Sequence, residues 1–354
     1  TSQQVINLNP VVAVKVNDRL SLGFGLVGQI YKAYLTNQID VGYLVAESIL
    51  DTVAEDPTKG YDIAVDLATP VLEKYGSNPN YQVHNEMDVS SFSYGFNFGA
   101  LWEYSERLTL GLNYRSATTH VAKGDAKRST LDQVGFKEGL ITDLAMDAGY
   151  DYNEAAEKLG KAFDERGALG GKLLTQVYLP QILTLSADYR LTDKLDLMGS
   201  FTWVDWSVFK EMRLEYVDSV NRGGADITGS GDDVRRRDLV QPLHFKDSIR
   251  IGVGARYQLN NEVVLRAGLS IDNTPLTNAN YRTPRGPDSN RTILGLGASY
   301  RWSEKMDFDI AYGSVRLAKA SVNSRENPAG TQHRAEGSSK GVLNTFGMQV
   351  SCSC

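Results

Sequence analysis

Residues 91–104 read SFSYGFNFGALWEY. Phe92, Tyr94, Phe96, Phe98, Ala100, Trp102 and Tyr104 are apolar at every second place. Ser91, Ser93, Gly95, Asn97, Gly99 and Glu103 fall between them, with Leu101 the one exception. A strand has a side-chain period of two, so this stretch has one greasy face and one small or polar face. It is long for a strand in a water-soluble sheet, where roughly five or six residues is usual.

The pattern recurs along the chain. Leu20, Leu22, Phe24 and Leu26 oppose Ser21, Gly23 and Gly25. Leu108, Leu110, Leu112 and Tyr114 oppose Arg107, Thr109, Gly111 and Asn113. Ile249, Ile251, Val253, Ala255 and Tyr257 oppose Arg250, Gly252, Gly254 and Arg256. Leu294, Leu296, Ala298, Tyr300 and Trp302 oppose Gly295, Gly297, Ser299 and Arg301, and Met306, Phe308, Ile310 and Tyr312 oppose Asp307 and Asp309. A half-buried soluble sheet alternates in the same way, so no single segment decides the matter. Length, recurrence and aromatic strand ends together point to an all-β protein, an antiparallel transmembrane β-barrel.

Composition narrows the classes. The 354 residues suffice for one large barrel. No run of 18 apolar residues exists, and 23% of the chain is charged, so helical membrane spans are excluded. A barrel escapes that test because its lipid face is every second residue. Mean hydropathy of −0.31 fits a polar lumen and polar loops. The net charge of −6 argues against nucleic acid as a partner. Residues 1–9 lack the basic start and apolar core of a secretory signal, which implies a mature chain or a fragment. Cys352 and Cys354 share one face of the last strand. At i and i+2 they stand about 6.5–7 Å apart, too far for an unstrained bridge; they read as two small apolar residues, with a metal pair or an engineered handle as the alternatives.

Eleven strands are expected, over 4–16, 19–36, 81–104, 107–123, 172–191, 195–217, 240–258, 262–274, 290–302, 305–323 and 340–354. Their connections alternate between short and long. The short ones are 17–18, 105–106, 192–194, 259–261 and 303–304; the long ones are 37–80, 124–171, 218–239, 275–289 and 324–339. Outer-membrane barrels segregate short periplasmic turns from long extracellular loops. The first strand then descends from outside and the last one also descends, leaving the C-terminus periplasmic. An odd strand number starting outside implies further strands of the same barrel before Thr1. The whole chain, 1–354, is thus read as one barrel domain, incomplete at its N-terminus.

The two longest connections, 37–80 and 124–171, carry helical patterns and are expected to be helical extracellular loops. Leu44, Val45, Ile49, Leu50 and Val53 are apolar in the first, and Leu140, Ile141, Leu144 and Ala145 share a face in the second. Two readings stand: the helices bury these faces on each other, or they form a hydrophobic groove above the barrel mouth.

Several blocks in order along the chain make it resemble the FadL family of outer-membrane long-chain fatty acid transporters. They are Asn7-Leu8-Asn9 with the strand pair running to Gly25, GFNFGAL at 95–101, LGLNYRS at 110–116 and Leu179-Pro180. WVDWSVF at 203–209, FKDSIR at 245–250, Asp272-Asn273-Thr274-Pro275 and Tyr312-Gly313 complete the set. The resemblance implies a 14-stranded barrel, of which eleven strands are visible here, plugged by an N-terminal hatch. It implies a monomer in the outer membrane of a Gram-negative bacterium, among outer-membrane lipid and lipopolysaccharide. It implies passive uptake of a long-chain fatty acid or other hydrophobic small molecule, without a cofactor, a catalytic residue or a metal. An aromatic-hydrocarbon channel of the same family and a general porin are the alternatives. The chain departs from the family where Cys354 replaces a terminal aromatic.

The resemblance places a carboxylate-contacting lysine at Lys246, whose parity with Arg250 and Arg256 directs it to the lumen. Ligand contacts are expected from Lys246 together with Leu44, Ile49, Leu50, Val53, Leu140, Ile141 and Leu144. An enzyme is not expected. His244 and Ser248 would stand about 13 Å apart on a strand, and His84 and His120 lie near strand ends without evident serine and acid partners. Trp102, Tyr104, Tyr257, Tyr300 and Trp302 precede short turns and read as an interfacial girdle. Arg235, Arg236 and Arg237 form a basic run in an outer loop.

Overall fold

The computed structural model describes residues 2–40, 69, 72–73, 82–129, 153, 171–216, 239–282, 287–323 and 336–352. The expected helical faces of the two longest connections lie outside these residues, as does the arginine run. What is described is one antiparallel sheet of sixteen strands. They are β1 (Ser2–Leu8), β2 (Val11–Asn17), β3 (Leu20–Asp40), β4 (Gln82–Glu103), β5 (Leu108–Arg115), β6 (Thr118–Ser129), β7 (Gly171–Leu179) and β8 (Ile182–Thr192). Then follow β9 (Leu195–Val204), β10 (Glu211–Tyr216), β11 (Leu239–Pro242), β12 (Ser248–Gln258), β13 (Val263–Asp272), β14 (Arg291–Ser303), β15 (Met306–Asn323) and β16 (Glu336–Cys352).

Five of the eleven expected strands are each split in two: β1/β2, β5/β6, β7/β8, β9/β10 and β11/β12. Each split strand still pairs only with its sequence neighbours, so the sheet is a simple meander. The interruptions have local causes. Pro10 and Pro180 lack the N–H that a ladder requires. At Ser116 and Ala117 the chain takes one residue more than β4 opposite it, since Asn97 pairs Arg115 but Ser90 pairs Lys123. That is a bulge, and it flips the side-chain alternation above it. Ser116 closes the gap: its N–H donates to Phe96 O at 2.9 Å, and its Oγ accepts from Phe96 N at 2.9 Å.

At the loop end, several strands run beyond the expected limits. β3 reaches Asp40, β6 reaches Ser129 and β16 begins at Glu336. The added segments are polar on their outer faces, so hydropathy did not mark them. The short turns are held by local side-chain bonds. Asn17 Oδ1 accepts from the N–H groups of Arg19 and Leu20, both at 2.9 Å. Asn260 Oδ1 does the same for Glu262 and Val263 at 2.9 and 2.8 Å.

The greasy face is outside. Tyr94 is 82% exposed, Phe92 65%, Val253 61% and Trp302 67%. A soluble fold does not leave such a row in water, whereas a barrel needs it against lipid. Next to the short turns, Trp102 meets Tyr104 edge-on at 5.1 Å, Tyr300 meets Trp302 at 6.1 Å, and Trp302 meets Phe308 at 6.2 Å. The inner face at the same height is small or ion-paired. Arg256 holds Asp196 at 3.2 Å, Arg301 holds Asp307 at 3.4 Å, and Arg266 donates to Ser299 at 2.5 Å.

Candidate functional site

Three features of the inner face bear on function. The first is an apolar layer at the loop end. Tyr31 and Ala33 on β3, Met87 and Val89 on β4, Ala122 on β6, Leu173 and Val177 on β7 and Leu214 on β10 pack together, all buried. The bulge at 116–117 turns Ala122 inward, where the alternation of Leu110 and Leu112 would have faced it out.

The second is a polar floor beneath that layer. Arg115 Nη2 donates to Asn7 Oδ1 at 2.6 Å, and Gln29 Nε2 donates to the same oxygen at 2.7 Å. Arginine can only donate, so the Asn7 amide is oriented, and through it the Gln29 amide. Gln29 Oε1 then accepts from Thr118 Oγ1 at 2.8 Å and from His120 Nε2 at 2.7 Å. His120 therefore carries its proton on Nε2, and Nδ1 accepts from Ser91 Oγ at 2.9 Å. The expectation that His120 lacks a serine partner is corrected: the sheet brings Ser91 to it from 29 residues away. A carboxamide occupies the place of the acid, and His120 is fully buried. The arrangement braces five strands, β1, β3, β4, β5 and β6, around a fully buried imidazole.

The third is a corner at the loop ends of β12, β13 and β14. Arg250 pairs Asp272 across one ladder and Asp272 pairs Arg291 across the next. Arg250 Nη2 lies 2.8 Å from Asp272 Oδ2, and Arg291 Nη2 lies 3.6 Å from the same atom. Thr274 Oγ1 donates to Asp288 Oδ2 at 2.7 Å, and Thr274 N donates to Asn290 Oδ1 at 2.9 Å, which fixes the connection between β13 and β14. Between these features and the short turns runs a trough of about 540 Å³ whose inner lining includes Gly111, Gly252, Gly254, Gly268 and Gly295.

Lys246 sits beside this corner. It lies in the irregular segment between β11 and β12, it is exposed, and its N–H donates to Pro275 O at 2.9 Å. The parity expected to direct it inward stops at Ser248, because the chain leaves the ladder and His244 adopts a φ of 44°. Asp247 next to it accepts from Trp203 Nε1 and from Ser207 N, both at 3.1 Å, and so ties the gaps in the two neighbouring strands together. Phe245 packs edge-on against Trp206 and Phe209 at 5.9 and 5.8 Å over the same gap. Leu44, Ile49, Leu50, Val53, Leu140, Ile141 and Leu144 lie outside the described residues. Among the described residues no cluster of His, Cys, Asp and Glu could hold a metal ion. Sequence reading missed the Asn7–Gln29–His120 floor and the Arg250–Asp272–Arg291 corner. Inward parity on Arg250 and Arg291 was the one signal available for the second.

Comparison with known proteins agrees with this architecture. The family model described as outer membrane protein transport protein (OMPP1/FadL/TodX) matches residues 1–353. Outer membrane protein P1 of Haemophilus influenzae is 24% identical over 326 residues, covering 90% of this chain and 57% of that protein. A protein of Escherichia coli K12 named long-chain fatty acid transport protein is 23% identical over 326 residues, covering 91% of this chain and 62% of its own length. The crystal structure of a Pseudomonas aeruginosa FadL homologue superposes with a TM-score of 0.71 at 23% identity, over 99% of this chain and 68% of that one. The chain thus spans about half to three-fifths of the length of the curated relatives it matches. These relatives are named as proteins of the outer membrane or as transporters, which agrees with the exposed apolar band. The chain belongs to the OMPP1/FadL/TodX family of outer membrane transport proteins.

Proposed function

We propose that this chain forms part of a passive route across the outer membrane for long-chain fatty acids or chemically similar hydrophobic compounds. The observation that carries the reading is the match of residues 1–353 to the OMPP1/FadL/TodX family of outer membrane transport proteins, and the buried apolar layer of Tyr31, Met87, Val89, Leu173, Val177 and Leu214, which makes the inner wall apolar at the loop end, supports it. A water-filled pore has a polar inner wall along its length, whereas a route for greasy molecules needs an apolar entrance. Each methylene moved from water into an apolar site contributes about 0.8 kcal/mol. A few methylenes exceed the roughly 1.5–3 kcal/mol of one charged hydrogen bond. Chain length then sets affinity, and a cation sets the preference for an anionic head. Lys246, exposed at the loop end, is the proposed first contact for that head. Leu44, Ile49, Leu50, Val53, Leu140, Ile141 and Leu144 are its proposed apolar complement.

The test is binding of a fluorescent long-chain fatty acid to the refolded chain in detergent, with oleate and toluene as competitors. Saturable binding displaced by oleate, and weakened about tenfold by Lys246→Ala, is the expected result. Displacement by toluene alone moves the substrate to aromatic hydrocarbons. Unchanged affinity in Lys246→Ala removes that lysine from the site. Absence of any binding, with steady ion conductance in planar bilayers, would establish a porin instead.

A further inference from the structure

We propose that Arg250 and Arg291 form a carboxylate-binding station on the inner wall, with the hydrocarbon chain of the bound amphiphile lying in the glycine-lined trough next to it. The inference rests on the transport reading above and adds a site distinct from Lys246.

Hydrogen-bond accounting sets Arg291 apart from Arg256, Arg266 and Arg301 on the same inner wall. Arg256, Arg266 and Arg301 each donate to a neighbouring acceptor at 3.2, 2.5 and 3.4 Å. Arg250 donates through Nε and Nη2 to Asp272 Oδ2 at 3.3 and 2.8 Å. Among the described residues Arg291 makes only long charge contacts, 3.6 Å to Asp272 and 3.5 Å to Asp288. Its Nε is buried without a hydrogen-bond partner, although a third of the side chain is exposed. A buried donor without an acceptor costs stability and calls for a reason. Ser270 Oγ, one inward position below Asp272, is likewise buried and unpartnered. Two unmet polar groups therefore sit on one small area of wall.

Charge points the same way. Arg282 is 8% exposed and spends its donors on the carbonyls of Asp288 and Ser321, at 2.8 and 2.6 Å. Among the described residues the corner thus gathers three guanidinium groups, of Arg250, Arg282 and Arg291, and two carboxylates, of Asp272 and Asp288. A carboxylate is planar and offers two acceptor oxygens, which suits the fork of an arginine. An alcohol of the same length offers neither charge nor fork.

The trough supplies the rest of the ligand's needs. Ser270 and Ile293 are cross-strand partners one step from Asp272 and Arg291, and both line it. Gly252, Gly254, Gly268 and Gly295 form its floor, and a Cβ added at Gly295 would meet nothing within 4 Å. The space of about 540 Å³ lies within the roughly 300–1,000 Å³ typical of small-molecule sites.

The experiment is titration calorimetry of the refolded chain with oleate and with oleyl alcohol at pH 8, for the wild type, Arg291→Gln and Arg291→Lys. Each variant is first checked for the gel-mobility shift of a folded barrel. The wild type should bind oleate more tightly than oleyl alcohol. Arg291→Gln should weaken oleate about tenfold and leave oleyl alcohol within twofold, with Arg291→Lys in between. Unchanged oleate affinity in Arg291→Gln overturns the site and makes the corner a structural ion-pair cluster. Equal weakening of both ligands overturns it as well, because the loss is then one of shape. If the wild type binds neither ligand, the transport reading itself fails and the station falls with it.

Discussion

At the scale of single residues, Gln29 decides most. It is 2% exposed, and its amide is used at both ends: Nε2 donates to Asn7, and Oε1 accepts from Thr118 and His120. Leucine has nearly the same size but no polar atoms. Gln29→Leu would strand the Thr118 hydroxyl and the His120 N–H in a dry place, and each stranded group costs about 1–3 kcal/mol. The expected loss is on the order of 3 kcal/mol, read as a lower urea midpoint for unfolding of the detergent-folded protein. Adding Thr118→Val and His120→Phe removes the stranded donors as well, and should recover more than half of the loss. A triple variant weaker than the single one would show that shape, not polar satisfaction, governs this floor. None of this was legible in the sequence. Asn7, Gln29, Ser91, Thr118 and His120 are scattered over more than a hundred residues, and only the register of β1, β3, β4 and β6 gathers them. His120 also follows the bulge, so its direction could not be counted from Tyr114.

At the scale of elements, glycine shows how tightly neighbouring strands are fitted. A Cβ on Gly124 of β6 would collide with the backbone carbonyl of Asp88 on β4. Backbone in a ladder cannot step aside without breaking pairing, so Gly124→Ala should cost about 1–3 kcal/mol. Gly111 of β5 also looks crowded, but there the obstacle is the Ser186 hydroxyl, which can rotate away. Gly111→Ala should stay within about 0.5 kcal/mol of the parent. Thermal loss of the folded gel band, measured side by side, separates the two; equal effects would refute the distinction. In the sequence Gly111 reads as a small residue on an inward face, whereas Gly124 opens the expected connection 124–171, so the tight fit there was not legible. Strand existence was legible because membrane-level segments such as 92–102 and 249–257 alternate cleanly. The loop-end halves β6 and β10 were blurred, because there the inner face is apolar and the outer face is charged. A bulge then shifts the count by one.

At the scale of the whole molecule, the segregation of short and long connections fixes which end of the barrel faces out. The turn at 259–261 and the pairing of Met306 with Cys352 lie at one end, and the 273–290 connection lies at the other. This much was legible from the sequence alone, because a turn such as Asn260-Asn261 closes in a few residues whereas the outer connections cannot. In an outer-membrane barrel the short-turn end is periplasmic. Cys352 shares the outward, lipid-directed face of Met348 and Val350, so it is removed before aqueous labelling. With Cys352 and Cys354 replaced by serine, a cysteine at exposed Asn278 should react on intact cells, and one at exposed Glu262 only after permeabilisation. The reverse pattern would put the apolar layer of Tyr31, Met87 and Leu173 at the periplasmic end. A hydrophobic ligand from outside would then meet the ion-paired inner wall before the apolar one, and Lys246, at the loop end, could not be the first contact for its head group.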